Sequence, residues 1–505
     1  MTTDEHRAEG QRGGQRGAGG DEPATDHTER SEVDADRGSP DSPGTPVERA
    51  AAMLLDVDES AVDKLPVEIA DEVPGNAAKQ VTALALQKAG DLVVDPRTVL
   101  SWVLTSVGAP SAVVGLLVPV RESGSMLPQT FLAPIVRRQA VRKWFWVAGA
   151  AGQCLAVAAM AVLTATTEGA LAGWGILAAL AVFALARSLS SLTSKDVLGR
   201  TIPKGARGQV TGMATVASGA VAITLGAALR LFGGEDAQVG TLALLLGAGA
   251  LAWAAAGTVF AAIKETPSAA ADVDADGAAP GATADPHSNR GGDGEGGGNG
   301  ARGEETDGAP MLSLLRHDAP FRRFVIARTL LLVSALSPPF VVALATEQGS
   351  AGLQGLGPFL ISSGVAALIG GRFWGRLADR SSRLTMMLAA GAASSVIVLL
   401  LAVLRIDGLA EIELLYPAAY LLLALAHTGA RVGRKTYIVD LGEGDARTNY
   451  VAASNSAIGV LLLVTGGLSA AIATLGVEIA LAALALLGLV GVLVSRTLRE
   501  VSTGS

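Results

Sequence analysis

The side chains best placed to do chemistry are ionisable groups lying inside long apolar runs. Arg187 interrupts the run AVFALARSLS and His427 the run LLLALAHTGA, while Arg121 and Glu122 stand together in VPVRESGSMLPQ (118–129). A charge inside a bilayer is costly, so such residues default to binding or conducting a solute. A cation at both Arg187 and His427 suggests an anionic or polar ligand; the other reading is that each lies near the interface and snorkels to water. Glu122 is suited to the outer part of a cavity with Arg121 as partner, and a carboxylate kept from water can carry a proton. The plainer reading of that pair is an ion pair at the outer surface. Gln129 and Asn455 complete the candidate set, although a polar group in a span more often makes a helix-to-helix hydrogen bond.

No pattern of covalent catalysis accompanies these groups. The sequence has no His-Glu-x-x-His, no phosphate-cradling GxxxxGK[ST] and no Gly-x-Ser-x-Gly. Cys154 is the single cysteine, so it forms neither an intrachain disulfide nor a cysteine-based metal site. Neither an enzyme activity nor a cofactor nor a metal is expected, and nothing suggests a nucleic-acid partner.

The elements that must position these residues are apolar helices. Half of the 505 residues are apolar and only 17% are charged, against roughly 25% charged in a soluble protein. Residues 97–264 and 321–496 hold 26 Lys and Arg against 14 Asp and Glu, whereas the rest of the chain holds 13 against 33. A basic apolar body is thus joined to acidic polar segments. Residues 1–46 read as a disordered acidic tail, 47–96 as a cytoplasmic juxtamembrane segment, 265–320 as a disordered acidic Gly-rich linker and 497–505 as a short tail. Within 47–96, Asn76 is positioned to cap a short amphipathic helix on the inner leaflet.

Runs near 20 residues suit about 30 Å of hydrocarbon. They fall near 98–120, 123–141, 144–164, 170–192, 209–232 and 238–262, then near 323–345, 353–377, 384–404, 412–431, 449–471 and 476–495. The two sets predict a bundle over 97–264 and another over 321–496, with the linker between. Sixteen Lys and Arg fall in the turns on one side and three on the other, which places the richer side, both termini and the linker in the cytoplasm. The bilayer in question is the cell membrane.

The halves are related. A shift of 240 residues sets Lys195 on Lys435, Arg207 on Arg447, Gly219 on Gly459 and Gly226 on Gly466. Gly212, Gly219 and Gly226 recur every seven residues and make one smooth helix face for close packing. After the second span of the second half the turn reads Gly375-Arg376-Leu377-Ala378-Asp379-Arg380-Ser381-Ser382-Arg383. Two parallel six-span repeats, an acidic linker and this turn resemble the major facilitator superfamily. Only Ser382 departs from the family's turn, where Gly is usual. The first-half copy is degenerate, with Arg137 in place of the acid, and the fifth span has no proline.

The resemblance implies an all-α integral membrane protein of twelve transmembrane helices in two pseudo-symmetric six-helix bundles. It implies secondary active transport of a small molecule by alternating access, with protons as a possible coupling partner. A carrier fold retained as a receptor or lipid-handling scaffold is the alternative. It also implies a cytoplasmic gate, with Asp379 and Arg380 facing Lys204 and Arg207, and Arg137 and Arg138 facing Glu443 and Asp445. Arg383 and Arg447 flank these turns.

Overall fold

The computed structural model describes residues 72–203, 207–232, 239–267, 310–347, 353–441 and 446–501. The predicted tail 1–46, the start of the juxtamembrane segment, linker residues 268–309 and the gate candidates Lys204, Glu443 and Asp445 lie outside these. Every regular element among the described residues is helical. The first half comprises α1 (Val73–Val93), α2 (Val99–Ser106), α3 (Ser111–Met126), α4 (Gln129–Arg137), α5 (Lys143–Thr166), α6 (Gly169–Thr201), α7 (Arg207–Phe232) and α8 (Val239–Ala261). The second comprises α9 (Pro310–His317), α10 (Ala319–Leu330), α11 (Val333–Leu336), α12 (Pro338–Glu347), α13 (Leu353–Arg380), α14 (Ser382–Val403), α15 (Leu415–Leu441), α16 (Ala446–Ala473) and α17 (Val477–Ser495).

Among the described residues nine helical segments are long and apolar enough to cross a membrane, counting α10 to α12 as one. Three further runs, each broken or more polar, are not among them. These are α1 with α2, carrying Lys79, Lys88 and Asp91; α3 with α4, carrying Arg121 and Glu122; and α15, carrying Arg431, Arg434 and Lys435.

The start of the first half differs from the sequence expectation. Instead of spans at 98–120 and 123–141, the chain ends α2 at Ser106, turns through Val107–Pro110 and starts α3 at Ser111. Gly108 adopts φ 72°, a conformation glycine takes without steric cost, and Pro110 precedes the new helix. Every residue of this turn is apolar, so a hydropathy window slides across it without a signal.

Nor does α1 lie on the membrane surface as an isolated amphipathic helix. Ala77 is buried with Ile202 and Val210, and Gly90 meets the Trp253 ring so closely that a Cβ there would stand 2.7 Å from Nε1. Asn76 lies inside α1 rather than capping it. Its amide exchanges two 2.9 Å hydrogen bonds with the backbone N–H and carbonyl of Lys264, tying α1 to the end of α8.

Each half contains a run broken near its middle. Between α1 and α2, Pro96 supplies no N–H, and the Asp95 carboxylate takes over by accepting from the Arg97 amide at 2.7 Å. In the second half the helix breaks after Leu330 and again at Ser337, where Pro338 opens α12. The run is therefore interrupted fully, not merely bent, before Pro338 and Pro339.

Two seams join the halves. Along α7 and α13, a Cβ on Gly226 would stand 2.7 Å from the Gly357 carbonyl oxygen, and one on Gly219 would stand 2.8 Å from Leu368. Along α3 and α16, Gly459 packs on Leu127 and Gly466 on Pro119, and the Ser123 hydroxyl donates to the Gly459 carbonyl at 2.7 Å. The glycines that the 240-residue shift superposes thus occupy equivalent seams. Backbones approach this closely only where no side chain intervenes.

Candidate functional site

Between the seams lies a cavity of ≈ 210 Å³. The first half contributes Asp95 and Arg97 from the α1–α2 break and Glu122 from α3. The second contributes Leu332, Ala335 and Pro338 from its own broken run, Ser363 from α13, and Tyr420, His427, Arg431 and Arg434 from α15. Both interruptions therefore face the same space. A broken helix offers backbone ends and side chains at mid-membrane only where it borders a cavity or protein.

One end of the cavity is closed by packed aromatics. Trp102 of α2 lies 6.1 Å from Phe359 of α13, and Phe359 meets the Tyr420 ring edge-on at 5.5 Å. All three are buried, and the Tyr420 hydroxyl shares hydrogen bonds with Thr98 and Ser363. On the same side, beside the α2–α3 turn, the Ser111 hydroxyl donates to the Ala473 carbonyl at 3.0 Å, and Arg230 pairs with Glu413. Exposure then rises along α15, from buried Leu423 through half-buried His427 to exposed Arg431 and Lys435. The cavity opens toward the C-terminal end of α15.

The first-half charges neutralise one another. Arg97 Nη2 donates to Glu122 Oε1 at 3.0 Å and its Nη1 lies 3.9 Å from Asp95. Arg121, only 8% exposed, reaches Asp91 at 3.1 Å and Asp95 at 4.0 Å, with its guanidinium 5.8 Å from the centre of the Phe183 ring. Arg187 pairs with the same Asp91 oxygen. Three arginines thus share three carboxylates. By contrast Arg431 and Arg434 have no ion-pair or hydrogen-bond partner among the described residues.

The sequence candidates divide accordingly. Glu122 and His427 line the cavity, and His427 Nδ1 lies 3.4 Å from the Ser334 hydroxyl. Arg121 and Arg187 sit behind the lining and hold Asp91. The pair of Arg121 and Glu122 is not an outer-surface ion pair, because α3 carries both into the interior and gives each a partner from the chain around the α1–α2 break. Glu122, expected with Arg121 as its partner, is instead held by Arg97. Gln129 donates to the Ser125 carbonyl of the preceding turn at 2.7 Å, and Asn455 is exposed; neither lines the cavity.

At the open end, Asp379 and Arg380 are exposed and make no ion pair among the described residues, and Arg138 is exposed. Arg207 Nε donates to the Ile202 carbonyl at 2.8 Å and its Nη2 to that of Gly199, both within its own half. Arg383 Nε lies 3.6 Å from Glu500, and its Nη1 donates to the Leu498 carbonyl. The helix of Arg137 and that of Arg447 are described, their side chains are not. Of the expected gate pairs, Asp379 and Arg380 make no ion pair with Arg207, and the others involve side chains outside the described residues.

Asp91, Asp95 and Arg97 were missed by sequence reading because they precede the apolar run and look like its cytoplasmic approach. Arg431 and Arg434 passed as turn residues. The signal available for them is the spacing 427, 431, 434, which places all three on one helix face.

No protein-family model and no curated protein matches the chain. Among solved structures, it is similar to the nucleoside transporter NupG at 9% identity and TM-score 0.60, over 83% of this chain and 98% of that one. It is also similar to a D-xylose–proton symporter at 10% and 0.60, over 85% and 99%. A bacterial homologue of the iron transporter ferroportin, captured inward-facing, matches at 15% and 0.55, over 83% and 98%. At these identities the likeness establishes the fold alone: the all-helical fold that these neighbours share, matched over nearly the whole of each.

Proposed function

We propose that this chain, which has the transporter fold its sequence resembles, is a secondary transporter that moves a small solute by alternating access. The observation that carries the reading is a polar cavity between two halves, closed by Trp102, Phe359 and Tyr420 at one end and open at the other. Its plan is twelve spans in two six-helix bundles: the nine apolar segments together with α1–α2, α3–α4 and α15. The first bundle then begins at α1 instead of residue 97, and the second follows α9.

The cytoplasmic assignment of the open end rests on the positively charged turns at that end, which makes this conformer inward-open. In the outward-open conformer the same turns close. Asp379 and Arg380 then meet Lys204 and Arg207, and Arg137 and Arg138 meet Glu443 and Asp445. The glycine seams are the surfaces on which the halves rock, since smooth faces resist sliding least. The neighbours' names span nucleosides, xylose and iron, so the fold by itself does not select a cargo.

Flux in proteoliposomes tests the reading. A solute panel is offered under imposed proton and sodium gradients, which also identifies the coupling ion. Saturable flux that falls at least tenfold in Gly226→Leu, with the variant still eluting as folded protein, supports alternating access. Ligand binding without flux under every gradient overturns it in favour of a receptor.

A further inference from the structure

We infer that the site takes a compact dianion, a phosphate or phosphomonoester group, held by Arg328, Arg431 and Arg434. The word cargo for this anion rests on the transport reading above; the binding site does not.

Behind the main cavity lies a second of ≈ 20 Å³, bordered by Arg328, Ser334, His427, Arg431 and Arg434 and by no carboxylate. His427, Arg431 and Arg434 also border the main cavity, so the two spaces meet along one face of α15. Arg328 approaches from α10. It is 6% exposed, its Nη1 donates to the Ser454 hydroxyl, and its Nε is buried without a partner. Snorkelling to water accounts for exposed Arg431; it does not account for Arg328.

Nearby acids supply only part of the missing charge: Glu122 lies within electrostatic range of Arg431 and Arg434, but none of the acids pairs with the three arginines. Glu122 and Asp95 are engaged with Arg97 and Arg121, and Asp91 with Arg121 and Arg187. A buried guanidinium without a counter-charge, as Arg328 is, is unfavourable, and with Arg431 and Arg434 beside it the space favours an anion. Further out, Lys435 lies within electrostatic range of Lys195, Arg431 and Arg434, so the approach is basic as well. A cleft lined by one sign of charge concentrates ligands of the other.

The number of guanidiniums selects the kind of anion. Each presents one planar, forked edge to a shared ligand, and that edge engages two acceptor atoms. Two such forks occupy both oxygens of a carboxylate, and a third arginine from a different helix needs a third oxygen. A terminal phosphate offers three, directed tetrahedrally. The small cavity suits one of them, and the larger cavity leaves room for an organic remainder.

The test uses the full chain purified in detergent, with equilibrium binding of orthophosphate and glycerol 3-phosphate, and succinate and glycerol as comparators. The expected result is saturable binding of a phosphate probe at least tenfold tighter than either comparator. Arg328→Gln, Arg431→Gln and Arg434→Gln should each weaken it tenfold or more, while Arg405→Gln at the far end should leave it unchanged. Arg434→Lys keeps the charge and removes the fork, so it should weaken binding while eluting as the native protein does. Succinate binding as tightly as phosphate, or phosphate binding indifferent to all three arginines, overturns the inference. Flux of a neutral solute without phosphate binding removes the anion and leaves transport standing. Arginine-dependent phosphate binding without flux does the reverse.

Discussion

Six arginines reach the interior of this protein, three from each half, and the halves treat them oppositely. Arg97, Arg121 and Arg187 share Asp91, Asp95 and Glu122. Arg328, Arg431 and Arg434 border a smaller space whose lining holds no carboxylate, and they make no ion pair among the described residues. A neutral network fixes geometry around the α1–α2 break, since each of its arginines is held by a carboxylate. An uncompensated set leaves its charge available to something that enters. One fold repeat thus supplies a brace and its counterpart supplies a receptor for charge.

Substitutions at the brace and the receptor should have opposite signs. Asp91→Asn strips Arg121 and Arg187 of their shared carboxylate, and breaking a buried pair costs about 3 kcal/mol; unfolding in mixed micelles should show a loss of that order. A loss below about 0.5 kcal/mol would dissolve the contrast between the halves. Next in size, the double-mutant cycle of Arg97→Met with Glu122→Leu should give a coupling of about 1–2 kcal/mol, the double variant being more stable than either single change predicts.

Arg328→Leu is expected to leave the ligand-free protein as stable or to raise stability by about 1 kcal/mol, because it removes a buried charge without a counter-charge. Destabilisation there equal to that of Asp91→Asn would mean that Arg328 is a brace too. The smallest effect belongs to Arg230 and Glu413, whose side chains are 40% and 45% exposed. Glu413→Gln should change stability by less than about 1 kcal/mol, measured in the same unfolding assay.

Much of the fold was legible in the sequence because a bilayer imposes one length and one composition on most spans. The glycines at 219, 226, 459 and 466 were legible as well, since a repeat that preserves them preserves close packing, and each stands on a seam. The front of the first half was not. There α1 is charged where a span is expected to be apolar, its acids being neutralised by Arg121 and Arg187 from later helices. Trp144 is exposed, whereas Trp146, two residues on, is buried and stacked on Phe260 at 3.9 Å. Residues two apart on a helix point to opposite faces, and only the neighbours decide which face is the core one.

The sequence alone determined that this is a helical membrane protein of two related halves with basic turns on one side, because hydrophobic length and local charge are properties of the chain. Which arginines are paired was decided only by tertiary structure. Pairing depends on which helices become neighbours: Asp91 meets Arg121 and Arg187 across 30 and 96 residues of chain. No spacing rule reaches that far, and the electrostatic character of the cavity follows from it.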